Sequence, residues 1–171
     1  MNTQRIIMGI DPGLATIGFA FLSDQDQEPV VIDFGVLTTV AGLNLTERLV
    51  IIADDLQHLI DLHKPTEALV ESIFFAKNAK TAIDVAHSRG VILQTLAKNG
   101  IVVRHITPNQ VKLAVCGDGS ADKLQIQQFV TRIFNLTQIP QPDDAADALA
   151  IAFAGMQVEA GLKGWVGRLQ W

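Results

Sequence analysis

Residues 145–156 read AADALAIAFAGM, a run that is apolar on almost every side of a helix. A helix without a polar face has to lie inside a core, so this segment needs a sheet or other helices to cover it. Two carboxylates break the pattern. At 100° per residue, Asp144, Asp147, Ala148, Ile151 and Gly155 share one face, and Asp143 points about 100° away from Asp144. Charge emerging from the packed side of a buried helix is costly unless something cationic meets it.

The cover is legible upstream. RIIMGID is an apolar run stopped by the turn Asp11-Pro12-Gly13. TIGFAFLSD follows, then a polar loop DQDQEP, then VVIDFGVLTT, which together predict an antiparallel meander of three strands. The period then becomes helical: Leu45, Leu49, Ile52, Leu56, Leu59 and Ile60 recur on one face, Asn44 and Glu47 have capping-box spacing, and Pro65 closes the segment. EALVESI is a short strand after a helix and so is expected to run parallel to the first. A helix over residues 76–100 ending at Gly100, a strand IVVRHIT, a short helix with Pro108 at its first position, and a helix capped by Ser120 complete the chain before the apolar one. The order βββαβαβααα predicts an α/β fold with a mixed five-stranded sheet, three strands antiparallel and two parallel, flanked by helices.

Composition narrows the function. The single cysteine, Cys116, excludes a disulfide framework and a multi-cysteine zinc site, and the four histidines show no ligand spacing. No stretch approaches the roughly 20 apolar residues of a membrane span, and the first apolar run is too short for a signal core, so a cytoplasmic protein with no membrane partner is expected. The net charge is -5, but it is unevenly spread. Residues 1–76 carry -8, residues 77–132 carry +5 and residues 133–171 carry -2. The middle of the chain is a cationic segment, and local field rather than net charge decides where a polyanion docks.

Asp11 ends the first strand and Glu71 lies at the end of the fourth. If those strands are parallel neighbours, their C-terminal ends share one edge of the sheet, where sites of open α/β sheets form. Adding Asp144 and Asp147 gives four carboxylates and no nitrogen or sulfur donor, a set suited to Mg²⁺ or Mn²⁺. Two divalent ions would offset four negative charges. Each acid also has a structural explanation of its own: a turn for Asp11, a lysine partner for Glu71, and helix capping for Asp143 and Asp144. Four separate explanations are then needed where the metal reading needs one.

These residues resemble those of the RuvC Holliday-junction resolvases, which have an RNase H-like fold. The resemblance rests on GIDPG (Gly9 to Gly13), ESIFFAKNAKTA (Glu71 to Ala82), SRG (Ser88 to Gly90), NQVKLAVCGDGSADKLQI (Asn109 to Ile126) and DAADALAIA (Asp144 to Ala152), in family order over about residues 5–155. It implies a metal-binding tetrad of Asp11, Glu71, Asp144 and Asp147 holding two Mg²⁺, with Mn²⁺ as substitute. It places Lys123 closest to the reacting phosphate and Lys112 near the DNA backbone. Phe74 is implied as the aromatic that enters the junction crossover. Without the resemblance, Phe74 and Phe75 both read as core residues by type. Lys77, Asn78, Lys80 and Arg89 belong to the same cationic segment and are expected to contact DNA. The resemblance further implies a homodimer whose two sites nick four-way DNA junctions symmetrically, with a branch-migration complex as a further partner. A nuclease domain over residues 1–158 is expected, followed by a tail of residues 159–171 with no assigned role; Trp165 and Trp171 in it have no counterpart in the family pattern. The acidic overall charge departs from a basic family and predicts steeply salt-dependent binding confined to one face.

Three other readings share some of these features. An RNase H-like nuclease that processes ribosomal RNA has a similar opening but leaves FFAKNA and the cationic middle unexplained. An ATP-binding lobe of the actin and sugar-kinase type needs two lobes. A junction-binding scaffold without activity does not need acids at all four positions.

Overall fold

The computed structural model describes residues 5–25, 28–73 and 79–159. Five strands form one sheet: β1 (Ile6–Asp11), β2 (Thr16–Gln25), β3 (Glu28–Thr38), β4 (Glu67–Glu71) and β5 (Val102–Ile106). The helices are α1 (Leu45–His63), α2 (Ala79–Lys98), α3 (Pro108–Cys116), α4 (Lys123–Ile133) and α5 (Asp143–Glu159). The strand order is β3-β2-β1-β4-β5; β1, β2 and β3 pair antiparallel, and β1, β4 and β5 pair parallel. This is the mixed sheet expected from the strand pattern. The β2–β3 hairpin is longer than its sequence suggested, because polar residues extend the ladder as far as Gln25 opposite Glu28.

Alternation along the strands separates two cores. Met8, Ile10, Phe19, Phe21, Ala68 and Val70 pack with Ile52, Leu56 and Leu59 of α1 and Ile92 and Leu96 of α2. Ile7, Ala20, Leu22 and Leu69 face the other way, against α5, Val111 and Val115 of α3, and Ile126 and Val130 of α4. By the same two-residue period, Asp11 follows Ile7 and Gly9, and Glu71 follows Leu69, so both acids belong to the α5 face.

The apolar helix lies directly on this face, and all residues from Ala148 to Ala154 are at most 2% exposed. Such close approach needs strands without side chains beneath it. A Cβ on Gly9 would stand 2.3 Å from the Ala148 carbonyl oxygen, and one on Gly18 would stand 2.0 Å from that of Asp144. Gly18 pairs with Asp11 across the β1–β2 ladder. The glycine that admits α5 therefore also brings the Asp144 turn over Asp11.

Helix ends follow local chemistry. Asn44 and Glu47 form the expected capping box, Thr107 caps α3 with Pro108 at its first position, and Gly100 adopts φ +70° after α2. The cap of α4 differs from expectation. Asp122, not Ser120, is the N-cap, in a reciprocal box with Gln125. Ser120 instead gives its hydroxyl to Asp118, inside the turn that precedes the helix. A carboxylate three residues before a glutamine satisfies two backbone donors at once, which the serine at its position does not match.

Candidate active site

Asp11 and Glu71 sit just past the point where β1 and β4 stop pairing, since that ladder ends at Ile10 opposite Val70. Asp144 and Asp147 lie on the first turns of α5, above the same edge. Burial pushes the Asp11 carboxyl up to about 8, and the charges of Glu71, Asp147 and Asp144 push in the same direction. Burial, then the charge of Asp147, raises Glu71 to about 7. Burial also raises Asp147, against the opposing pull of Lys123. The four acids thus act on one another electrostatically.

The cation that the buried helix demanded is Lys123, the first residue of α4. Its Nζ lies 3.0 Å from Asp147 Oδ2 and also pairs with Asp143. Burial pulls its ammonium down, but the hydrogen bonds to Asp143 and Asp147 outweigh this and hold it above the usual lysine range. Asp143 therefore has a second role that its sequence position did not suggest. It starts α5, and its carboxyl is held low first by Lys123 and then by the backbone N–H groups of Asp143 and Asp144.

A cleft of about 210 Å³ opens beside these groups. Glu71, Asp147, Lys112 and Lys123 supply its charged wall, while Val111, Ile126 and Ile151 supply an apolar floor. The cleft therefore offers anionic and cationic groups side by side, as a substrate phosphate beside a metal requires. Among the described residues, no three histidine, cysteine, aspartate or glutamate side chains are drawn close enough to hold an ion as they stand. Lys123 lies against one oxygen of Asp147. The donor set still fits a hard divalent cation, because all its atoms are oxygen and a cation between them would relieve the charge that raises Asp11 and Glu71.

The other expected contacts fall in different places. Arg89 is turned toward the sheet: its Nε donates to the Glu71 carbonyl at 2.9 Å, and its Nη2 lies 2.8 Å from His105 Nδ1. Phe74, Phe75, Lys77 and Asn78 lie outside the described residues, as do the side chain of Lys80 and the tail with Trp165 and Trp171. Gly9 and Gly18, which seat α5, went unnoticed in the sequence. Their signal was available as small residues on strands expected to be buried.

The mixed sheet, with acids over its strand ends and a helix laid across them, defines an RNase H-like nuclease frame. A family model described as crossover junction endodeoxyribonuclease RuvC matches residues 7–155. A crossover junction endodeoxyribonuclease RuvC of Ruminiclostridium cellulolyticum is 46% identical over 147 residues, covering 86% of this chain and 89% of the relative. That of Roseiflexus sp. is 47% identical over 152 residues, covering 89% and 90%. The Thermus thermophilus RuvC structure superposes with a TM-score of 0.83 at 28% identity, covering 91% of this chain and 96% of that one. T. thermophilus RuvC in complex with a Holliday junction substrate superposes at 0.81 with 25% identity, again covering 91% and 96%. The chain belongs to the RuvC family of crossover junction endodeoxyribonucleases.

Proposed function

We infer that this protein is a structure-selective endonuclease that resolves four-way DNA junctions in recombination and repair by paired, symmetric nicks. The observation that carries the reading is the placement of Asp11 and Glu71 at adjoining strand ends and of Asp144 and Asp147 on the first turns of α5, beside a cleft walled by Glu71, Asp147, Lys112 and Lys123. Asp11, Glu71, Asp144 and Asp147 would hold two Mg²⁺, with Mn²⁺ as a substitute. The metal would supply water activation at neutral pH and Lewis-acid stabilisation of the leaving 3′-oxygen. The products are 5′-phosphate and 3′-hydroxyl ends.

Lys123 offsets the charge that builds on the phosphate, since its half-exposed ammonium borders the cleft and is already held by Asp147. Asp143 anchors the same lysine, so its place beside the cleft does not rest on Asp147 alone. Lys112 guides the DNA backbone, with Lys77, Asn78 and Lys80 extending the cationic path and Phe74 opening the crossover. Symmetry of the cuts follows from a homodimer. Residues 1–158 act as one nuclease domain in the cytoplasm. No helix among the described residues is long and apolar enough to cross a membrane.

The test is a synthetic immobile junction incubated with Mg²⁺. Symmetric paired nicks are expected. An intact junction beside degraded single-stranded RNA would redirect the reading to RNA processing, and binding without cleavage in any divalent ion would leave a scaffold. Asp144→Asn should keep junction binding and fold while cleavage collapses.

A further inference from the structure

The seam between β1 and β4 has no rung beyond Ile10 and Val70, so the ladder itself does not set the distance between Asp11 and Glu71. Each acid is paired only outward, Asp11 to Gly18 on β2 and Glu71 to Ile106 on β5. Two carboxylates that repel each other across an open seam need another restraint.

Helix α2 supplies one from the opposite face of the sheet. Ser88, fully buried, donates its hydroxyl to the Gly13 carbonyl at 2.6 Å, two residues beyond Asp11. Its neighbour Arg89 donates to the carbonyl of Glu71 itself at 2.9 Å. Adjacent residues of one helix therefore grip the backbone on both sides of the seam, so the spacing of the two strand ends follows from helix geometry. The second arm of Arg89 reaches His105 on β5. A guanidinium only donates, so His105 Nδ1 is the acceptor in this contact.

We propose that Ser88 and Arg89 are positioning residues: a two-point brace that sets the separation of the Asp11 and Glu71 carboxylates and thereby the affinity of the site for its divalent ion. The inference rests on the reading of Asp11 and Glu71 as metal ligands. It assigns Arg89 to the site's geometry rather than to a DNA phosphate. Groups that hold ligands in place typically change metal affinity by about 10–100-fold when removed.

The experiment compares wild type with Arg89→Gln and Ser88→Ala in two assays. The first is thermal stabilisation of the DNA-free protein titrated with Mg²⁺. The second is junction binding in EDTA across a range of salt. Both variants are expected to need roughly tenfold more Mg²⁺ for half-maximal stabilisation, with junction affinity within about twofold of wild type and an unchanged salt slope. Arg89→Lys, which keeps one donor for the Glu71 carbonyl, should recover part of the loss. Ser88 is buried and uncharged, so an effect of Ser88→Ala cannot come from a lost phosphate contact, and this variant keeps the test open if Arg89→Gln fails to fold. Weakened junction binding in Arg89→Gln, with a salt slope lower by about one and an unchanged Mg²⁺ midpoint, would overturn the brace in favour of a phosphate contact. A responsive wild type matched by both variants overturns the brace alone. A wild type indifferent to Mg²⁺ overturns the metal reading and the brace with it.

Discussion

Strand β4 begins at Glu67 and ends at Glu71, and by the two-residue period both side chains leave the same face of the sheet. At the first end, Glu67 is buried and takes Arg5 on one carboxylate oxygen and Arg104 on the other. At the second end, burial and then the charge of Asp147 raise Glu71 to about 7, with only the partial relief of Lys123. One glutamate is neutralised by the fold. The other keeps a like-charged neighbour. Compensated and opposed charge are thus separated along four residues of one strand, and charge that the fold leaves uncompensated is charge a ligand can use.

Exchanging the carboxylates for amides should break this contrast most visibly at the functional end. Glu71→Gln is expected to lower junction cleavage on the order of 10³-fold, because several kcal/mol of metal-derived stabilisation are lost. Its thermal stability in EDTA should be equal to or above wild type, as a repulsive partner of Asp11 has been removed. Glu67→Gln should do the reverse. It leaves two arginines facing a neutral amide, and urea unfolding should show a loss of about 2–3 kcal/mol. That is less than the about 3–5 kcal/mol of a fully buried broken pair, because both arginines are 27% exposed. Cleavage per folded molecule should be unchanged. A Glu67→Gln protein that is stable but inactive would remove the distinction between the two ends.

The pH dependence sharpens it further. Asp11 and Glu71 bind their protons more tightly folded than unfolded, where such carboxyls titrate near 4. Their stabilising contribution is complete below that range and is lost as pH rises through about 7 and about 8. Metal-free protein should therefore melt at lower temperature at about pH 8.5 than at about pH 5, and the stabilisation added by Mg²⁺ should grow over the same interval. A melting temperature in EDTA that rises over this interval would sink the account of a strained acidic cluster.

The smallest effect is expected at Asp143. Asp143→Asn keeps the helix start but weakens the hold on Lys123, so cleavage should fall about twofold to fivefold with no measurable change in melting temperature. A loss as large as that of Glu71→Gln would place Asp143 among the groups that act directly at the metal.

Much of the frame was legible because it depends on local periodicity. Alternating strands, a helical stripe and an all-round apolar helix specify a covered mixed sheet, and two acids one turn apart on that helix share a face whatever lies opposite. Asp11 and Glu71 could be joined by one further step, the expectation that β1 and β4 are parallel neighbours. Other features could not be reached this way. Ser88 and Arg89 read as one polar and one basic residue on a helix, and nothing local says that both grip strand ends from the opposite face. Lys123 and Asp143 are 20 residues apart in sequence and meet only because α4 and α5 pack together. Ser120 looked like a cap because serine commonly is one, but the box between Asp122 and Gln125 satisfies more donors.

By itself, then, the sequence determined which acids are candidates for the site and on which face of its own element each one stands, because helix and strand periods are properties of the backbone alone. Which charges are compensated and which are left in opposition was decided only by the tertiary structure. Glu67 and Glu71 are the same residue type in the same strand; position at the strand end singled out Glu71, but nothing local showed that Glu67 meets Arg5 and Arg104 while Glu71 meets Asp147. The difference arises from which neighbours the sheet order and helix packing bring within a few ångströms, and at that range Coulomb energy and burial outweigh intrinsic preference.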